Sequence, residues 1–120
     1  MPGNKEIGDK GEFLAAEYLR SKKFRIAAIN WRNLHREIDI VAWDKKELVI
    51  VEVKLRKNDF HGQPWEFVTM KKQKYLIAAA EAYLDTIPEA PEVRFDVVSI
   101  LGEEGRYKIE HIEDAFNPDV

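Results

Sequence analysis

Leu48 to Leu55, which reads Leu-Val-Ile-Val-Glu-Val-Lys-Leu, constrains this chain more than any other segment. Its first four side chains are all apolar. In an extended strand they project alternately to both faces, as in a central strand covered from both sides. The chain must therefore supply two covering layers. The same run also holds two charges, Glu52 and Lys54, two residues apart on the face that carries Leu48 and Ile50. An unpaired buried carboxylate or ammonium costs several kcal/mol even after relaxation, so each needs a partner or a function.

The rest of the sequence provides the layers. Residues 5–22 read as a helix, with Ile7, Gly11, Leu14, Ala15, Tyr18 and Leu19 at three-to-four spacing and Asn4 placed to cap it. Phe24 to Asn30 reads as a strand, and Trp31 to Arg36 as a polar loop bearing an aromatic residue. Glu37 to Trp43 alternates, with Ile38, Ile40 and Ala42 on one face and Glu37, Asp39, Val41 and Trp43 on the other. The turn Asp44 to Glu47 then folds this strand back onto Leu48–Leu55 as a hairpin. After the loop-like Asn58 to Pro64, a helix is expected from about Thr69 to Asp85. Thr69 caps it, and Leu76, Ile77, Ala80, Tyr83 and Leu84 face inward. Strands at Glu92–Leu101 and Tyr107–Ile112 flank a tight turn, Gly102–Gly105.

The order is α-β-β-β-α-β-β. Short turns make the early strands antiparallel, whereas the helix after the third strand is the natural crossover for a parallel pair. The expectation is one α/β domain of 120 residues with a mixed sheet flanked by helices.

Composition narrows the chemistry. There are no cysteines, which excludes a disulfide scaffold, a cysteine zinc site and a thiol nucleophile. No apolar run approaches a membrane span, and the first residues lack the basic-then-apolar order of a signal peptide, so a cytoplasmic location is expected. His35, His61 and His111 are scattered without metal-ligand spacing, and there is no phosphate-cradling glycine loop to hold a nucleotide cofactor. The formal charge is −3, a total that argues against a polyanionic partner. Its distribution argues the other way. Residues 1–74 carry 16 Lys/Arg against 11 Asp/Glu, a net +5, whereas residues 75–120 carry 3 against 11, a net −8. That asymmetry points to an electropositive face on an acidic body.

The predicted hairpin brings Asp39 alongside residues 52–54. Two carboxylates converging from adjacent strands make an oxygen site for a hard divalent cation such as Mg²⁺, which keeps most of its shell for water and substrate phosphate. A cation held by Asp39 and Glu52 would activate water and polarise a phosphoryl oxygen, and Lys54 would offset charge in the transition state. The acid-x-Lys pattern occurs twice, as Asp44-Lys-Lys46 and Glu52-Val-Lys54, and only the second lies in a buried strand. The same residues also suit a structural Glu52–Lys54 or Asp39–Lys54 ion pair. Arg32, Arg36, Arg56, Lys57, Lys71 and Lys72 flank this region and suit phosphate contacts. Trp31 could stack on an unpaired base or serve as a half-buried core aromatic, and Trp43 and Trp65 read as packing residues.

Several motifs stand in order: Glu37-Ile-Asp39-Ile-Val-Ala, Val51-Glu52-Val-Lys54-Leu-Arg56, Phe60-His-Gly62-Gln-Pro64, and Lys72-Gln73 leading into an Ala-rich helix. Together with Gly8, Gly11-Glu12 and Arg94-Phe-Asp96, they resemble the YraN-like family of small bacterial proteins. That family is similar to the PD-(D/E)xK nucleases, with an αβββαβ restriction-endonuclease-like core, and to archaeal Holliday-junction resolvases. The resemblance implies that Asp39 and Glu52 are metal ligands and Lys54 the catalytic lysine. It further implies that Glu12 is an acidic site residue from the first helix, and Gln73 a polar one from the second. Mg²⁺ or Mn²⁺ would be the cofactor and DNA, with branched or structured DNA as a refinement, the substrate. Two positions depart from the family pattern: Ile38 replaces a proline, and Arg36 stands where glycine is usual. A nuclease fold that grips nucleic acid without cutting it, and a protein-interaction domain using the acidic half, remain alternatives. A homodimer is compatible with the sequence, and symmetric cutting of a junction would require one.

Overall fold

A computed structural model describes residues 4–57, 68–103 and 105–118, with side chains from Lys10 onward. Seven elements follow in the expected order: α1 (Asn4–Ser21), β1 (Arg25–Asn33), β2 (Arg36–Asp44), β3 (Glu47–Arg56), α2 (Met70–Leu84), β4 (Val93–Glu103) and β5 (Arg106–Phe116). The strands form one five-stranded sheet in the order β1-β2-β3-β4-β5. Pairing is antiparallel except between β3 and β4, which run parallel from Leu48↔Val93 to Arg56↔Leu101. The α2 crossover makes that parallel pair possible. The result is a mixed α/β fold, compatible with an αβββαβ nuclease-like core.

The doubly apolar β3 is covered as its sequence demands. Val49 and Val51 join Ile40, Ala42, Val98 and Ile100 beneath Ala15, Ala16 and Leu19 of α1. On the other face Leu48 and Ile50 join Val41 and Phe95 beneath Leu76, Ala79, Ala80 and Tyr83 of α2. Each fully buried Leu, Ile or Val contributes about 1.5–3 kcal/mol.

Both helices are fixed by local signals. At the end of α1, Lys23 takes a left-handed φ of 74°. Its N–H donates to Arg20 O at 2.9 Å, and Phe24 N–H donates to Leu19 O at 3.0 Å. This is a Schellman stop, closed by the buried contact between Phe24 and Leu19. Thr69 caps α2, its hydroxyl accepting from Lys72 N–H at 3.2 Å. A Cβ at Gly11 would sit 3.2 Å from Leu55 Cβ and 3.6 Å from Val53 Cγ1. Glycine therefore lets α1 rest on β3, and the adjoining Glu12 is buried there.

Three expectations need correction. Trp31–Arg36 is not a loop: β1 runs to Asn33, Trp31 pairs with Ile38, and the turn is only Leu34–His35. The β4–β5 strands likewise extend into the expected turn, with Glu103 paired to Arg106. Ile38 does not share a face with Ile40 and Ala42. It packs on the α2 side with Val41, whereas Ile40 and Ala42 pack on the α1 side. The alternation breaks at Asp39, opposite Asn30, whose φ of 55° kinks β1. The loop motif at residues 58–67, including Trp65, lies outside the described residues.

At the end of the sheet that carries the β2–β3 turn, a buried charge cluster ties four strands together. Arg94 donates to both Asp96 oxygens, at 2.9 and 3.0 Å, and also to Asp44 at 2.9 Å and Glu47 at 3.2 Å. Asp96 further accepts from Asp114 N–H at 3.0 Å and lies 2.7 Å from His111 Nε2. Asp96→Ala should lower stability by about 3–5 kcal/mol in urea unfolding, because it removes the one buried carboxylate on which Arg94, His111 and Asp114 N–H converge.

Candidate active site

The β2–β3 ladder runs from Asp44↔Glu47 to Ile40↔Val51. One step further, Asp39 and Glu52 stand across from each other. Here the side chain takes over from the backbone: Asp39 Oδ2 accepts from Val53 N–H at 2.8 Å. The Glu52 carboxylate stands close enough to act directly on Asp39. The carboxyl of Asp39 is pushed up to about 8 by burial first, then by Glu52, with Glu12 adding to the effect. The Val53 N–H works against this shift. Glu12 of α1 and Glu52 of β3 thus both act on Asp39 of β2, and the expected convergence of Asp39 and Glu52 is present. Among the described residues, no three acidic or histidine groups are arranged to enclose a cation. The site is a pair of carboxylates, the donor set with which Mg²⁺ is content when water and phosphate complete its shell.

Strand alternation puts Lys54 on the same face as Glu52, half-buried and paired across to Ser99 of β4. Arg56 follows on that face, half-buried, and Lys57 is exposed. A cation from another element also reaches Glu52. Lys72 of α2 places its Nζ 3.0 Å from Glu52 Oε2. Burial alone would lower the Lys72 pKa, but Glu52 and then Asp39 hold it above the ordinary lysine range. The Lys72 Nζ also lies 5.0 Å from the Tyr75 ring centroid. Sequence reasoning placed Lys72 among flanking phosphate contacts and did not foresee this pairing. A signal was present. Lys71 and Lys72 open α2, where the helix dipole disfavours cations, so a nearby anion was to be expected.

Gln73 reaches the same region but turns to the backbone, its Nε2 donating to Val68 O at 3.1 Å. Lys71 is exposed and, with Thr69, Lys72 and Tyr75, lines an open groove of about 350 Å³ beside the carboxylates. Arg32 and Arg36 are exposed on the β1–β2 hairpin, with Arg32 3.5 Å from Glu37. Trp31 takes the packing role, edge-on to Tyr83 at 5.3 Å. Tyr75 was missed altogether. Its hydroxyl accepts from Glu37 N–H at 2.7 Å and donates to His35 O at 3.3 Å, pinning the hairpin to α2.

Comparison with known proteins bears on this arrangement. Residues 11–100 match the model of the uncharacterised protein family UPF0102. A UPF0102 protein of Bacteroides thetaiotaomicron is 43% identical over 118 residues, 98% of each chain. Another, from Syntrophomonas wolfei, is 46% identical over 114 residues, 94% of this chain and 99% of its own. A third, from Chlorobium limicola, is 44% identical over 117 residues, covering 92% of this chain and 91% of its own. The chain belongs to the UPF0102 family. This is the YraN-like family that the sequence motifs resemble. The UPF0102 match spans Glu12, Asp39, Glu52, Lys54, Lys72, Gln73 and Tyr75. It stops before His111, which belongs to the structural cluster at the other end of the sheet.

The raised Asp39 pKa carries a stability consequence with a definite sign. An acid bound more tightly to its proton in the folded state stabilises the fold fully below the unfolded pKa. That contribution is lost as pH rises toward the folded value. Without divalent cations, thermal stability attributable to this site should therefore fall from about pH 4 to about pH 8. Asp39→Asn keeps the acceptor for Val53 N–H and removes the titrating charge. It should flatten that slope and raise the melting temperature at pH 8 by about 5 °C, read by calorimetry in EDTA.

Proposed function

We propose that this protein is a metal-dependent endonuclease that hydrolyses DNA phosphodiester bonds, with branched or structured DNA as the substrate to test first. The reading rests on one observation above all. Two carboxylates, the part-buried Asp39 and the buried Glu52, meet at the point where β2 and β3 part, with Lys54 on the Glu52 face. A carboxyl held far above its ordinary pKa by burial and a neighbouring acid, as Asp39 is, is costly to a fold, and such costs concentrate at functional sites.

The donor set fits Mg²⁺ or Mn²⁺. Asp39 and Glu52 would hold the cation, and Glu12 would add negative charge nearby. When bound, the cation supplies Lewis acidity toward a phosphoryl oxygen and a water molecule. Lys54 offsets the charge that builds on the phosphoryl group. Lys72 and Lys71 offer cations along the groove, where a phosphate backbone would lie, and Arg32, Arg36, Arg56 and Lys57 extend the basic surface. Gln73 holds the start of α2 to Val68 and so keeps Lys72 at its station.

One observation favours a second reading, a nuclease fold that binds nucleic acid without cutting it. The Lys72–Glu52 ion pair at 3.0 Å already neutralises Glu52 without any cation. A cleavage panel of single-stranded, duplex, flap and four-way DNA with Mg²⁺ or Mn²⁺ separates the two. Wild type should cut at least one substrate, and Asp39→Asn and Lys54→Ala should each slow cutting by about 100-fold or more. Mg²⁺ should raise the melting temperature of wild type and leave Asp39→Asn unmoved. Equal cutting by wild type and both variants would rule out this site. DNA binding without cutting in either metal would support the second reading.

A further inference from the structure

The β1–β2 hairpin ends in a two-residue tip, Leu34–His35, closed by the Asn33↔Arg36 pair. Leu34 is 87% exposed. Its φ is 56°, in the left-handed region, at a turn position that glycine or asparagine fills at lower cost. The fold takes an exposed apolar side chain and a strained backbone at the same residue, and neither contributes to a core. Arg32, His35 and Arg36 surround it, all exposed. The Arg32–Glu37 contact is long, at 3.5 Å, and solvent-screened, so it leaves Arg32 available to a stronger anion.

The tip is nevertheless held in place. Tyr75 bonds to Glu37 N–H and to His35 O, and its ring adjoins Lys72, which rests on Glu52. A continuous chain of contacts therefore runs from the exposed leucine to the paired carboxylates.

We propose that the Leu34 tip is a DNA wedge: Leu34 enters a base step from the minor groove of a duplex arm, while Arg32 and Arg36 hold the flanking phosphates. An apolar wedge accompanied by arginines is the means by which proteins unstack and kink duplex DNA. Charge selects the partner, since across residues 31–37 two arginines face a single carboxylate, Glu37. Reach selects the position. Five chain steps, the first of them within the turn, separate Leu34 from Asp39, at most about 17 Å at the rise of a β-strand. That span corresponds to about five base pairs of duplex at ~3.4 Å each. For the place of the cut, the inference rests on the endonuclease reading. The wedge then selects DNA that unstacks cheaply about five base pairs away, as a branch point or a pyrimidine–purine step does.

The test uses four-way and duplex DNA carrying 2-aminopurine at successive positions, with the full-length protein in EDTA. Wild type should raise fluorescence at one localised step. Leu34→Asn should abolish that rise and weaken binding about 5- to 20-fold, with an unchanged dependence of affinity on salt. Arg36→Ala should instead reduce the slope of log affinity against log salt by about 1. Asparagine accepts the left-handed φ, so Leu34→Asn should melt no lower than wild type, and misfolding would not account for its loss. Equal binding and fluorescence by wild type and Leu34→Asn would overturn the wedge. If wild type still cuts in Mg²⁺, that result leaves the endonuclease standing. Leu34-dependent binding without cutting in any divalent metal would instead overturn the endonuclease and keep the wedge. Binding to none of these DNAs would overturn both.

Discussion

Strand β3 is apolar on both faces, and the need to cover both organises everything around it. One helix must precede the hairpin and one must cross over after it, which makes β4 parallel to β3 and leaves β3 at the centre of the sheet. The apolar cover is complete over Leu48 to Val51; beyond it the α2 side turns to Glu52 and Lys54, while Val53 and Leu55 stay partly buried on the α1 side. At that point the β2–β3 ladder stops and a side chain, Asp39, completes the hydrogen bonding. The candidate site is the place where the packing demanded by β3 ends.

Two desolvated aspartates, the buried Asp96 and the part-buried Asp39, show how differently the sheet treats its ends. Burial pushes the pKa of both upward. At Asp96 the bonds from His111 and Arg94, then Asp114 N–H, overcome that push and hold the carboxyl below the usual range. At Asp39 one backbone N–H opposes burial, and Glu52 adds to it, so the carboxyl rises. The first aspartate is satisfied within the fold and fastens strands together. The second is left in a state that a cation would relieve. The same residue type is held ionised at one end of the sheet and protonated more readily at the other, and the neighbours decide which.

Helix α2 links the site to the surface. Its basic first turn opposes the helix dipole, and Glu52 compensates. Three residues on, Tyr75 stands beside Lys72 and fastens the β1–β2 hairpin. That spacing places both side chains on one face of the helix, so the groove, the carboxylates and the hairpin tip form a single surface.

The order of elements, the parallel pair and the meeting of Asp39 with Glu52 were legible in the sequence because each follows from local periodicity, hairpin register or the cost of a buried charge. The extension of β1 through Trp31 was not, because Arg32 and Asn33 carry loop-like composition and become strand only by pairing with Glu37 and Arg36. The separation of Ile38 from Ile40 was hidden for a similar reason: the kink at Asn30 lies on a neighbouring strand. Lys72 on Glu52 and Tyr75 on the hairpin join residues 20 and 38 positions apart, which no local pattern can register. By itself the sequence determined a two-sided β3 with charges at its end, since side-chain alternation and desolvation act within one strand. Only the tertiary structure decided which groups answer those charges, because ion pairs and pKa shifts depend on distances that the fold creates.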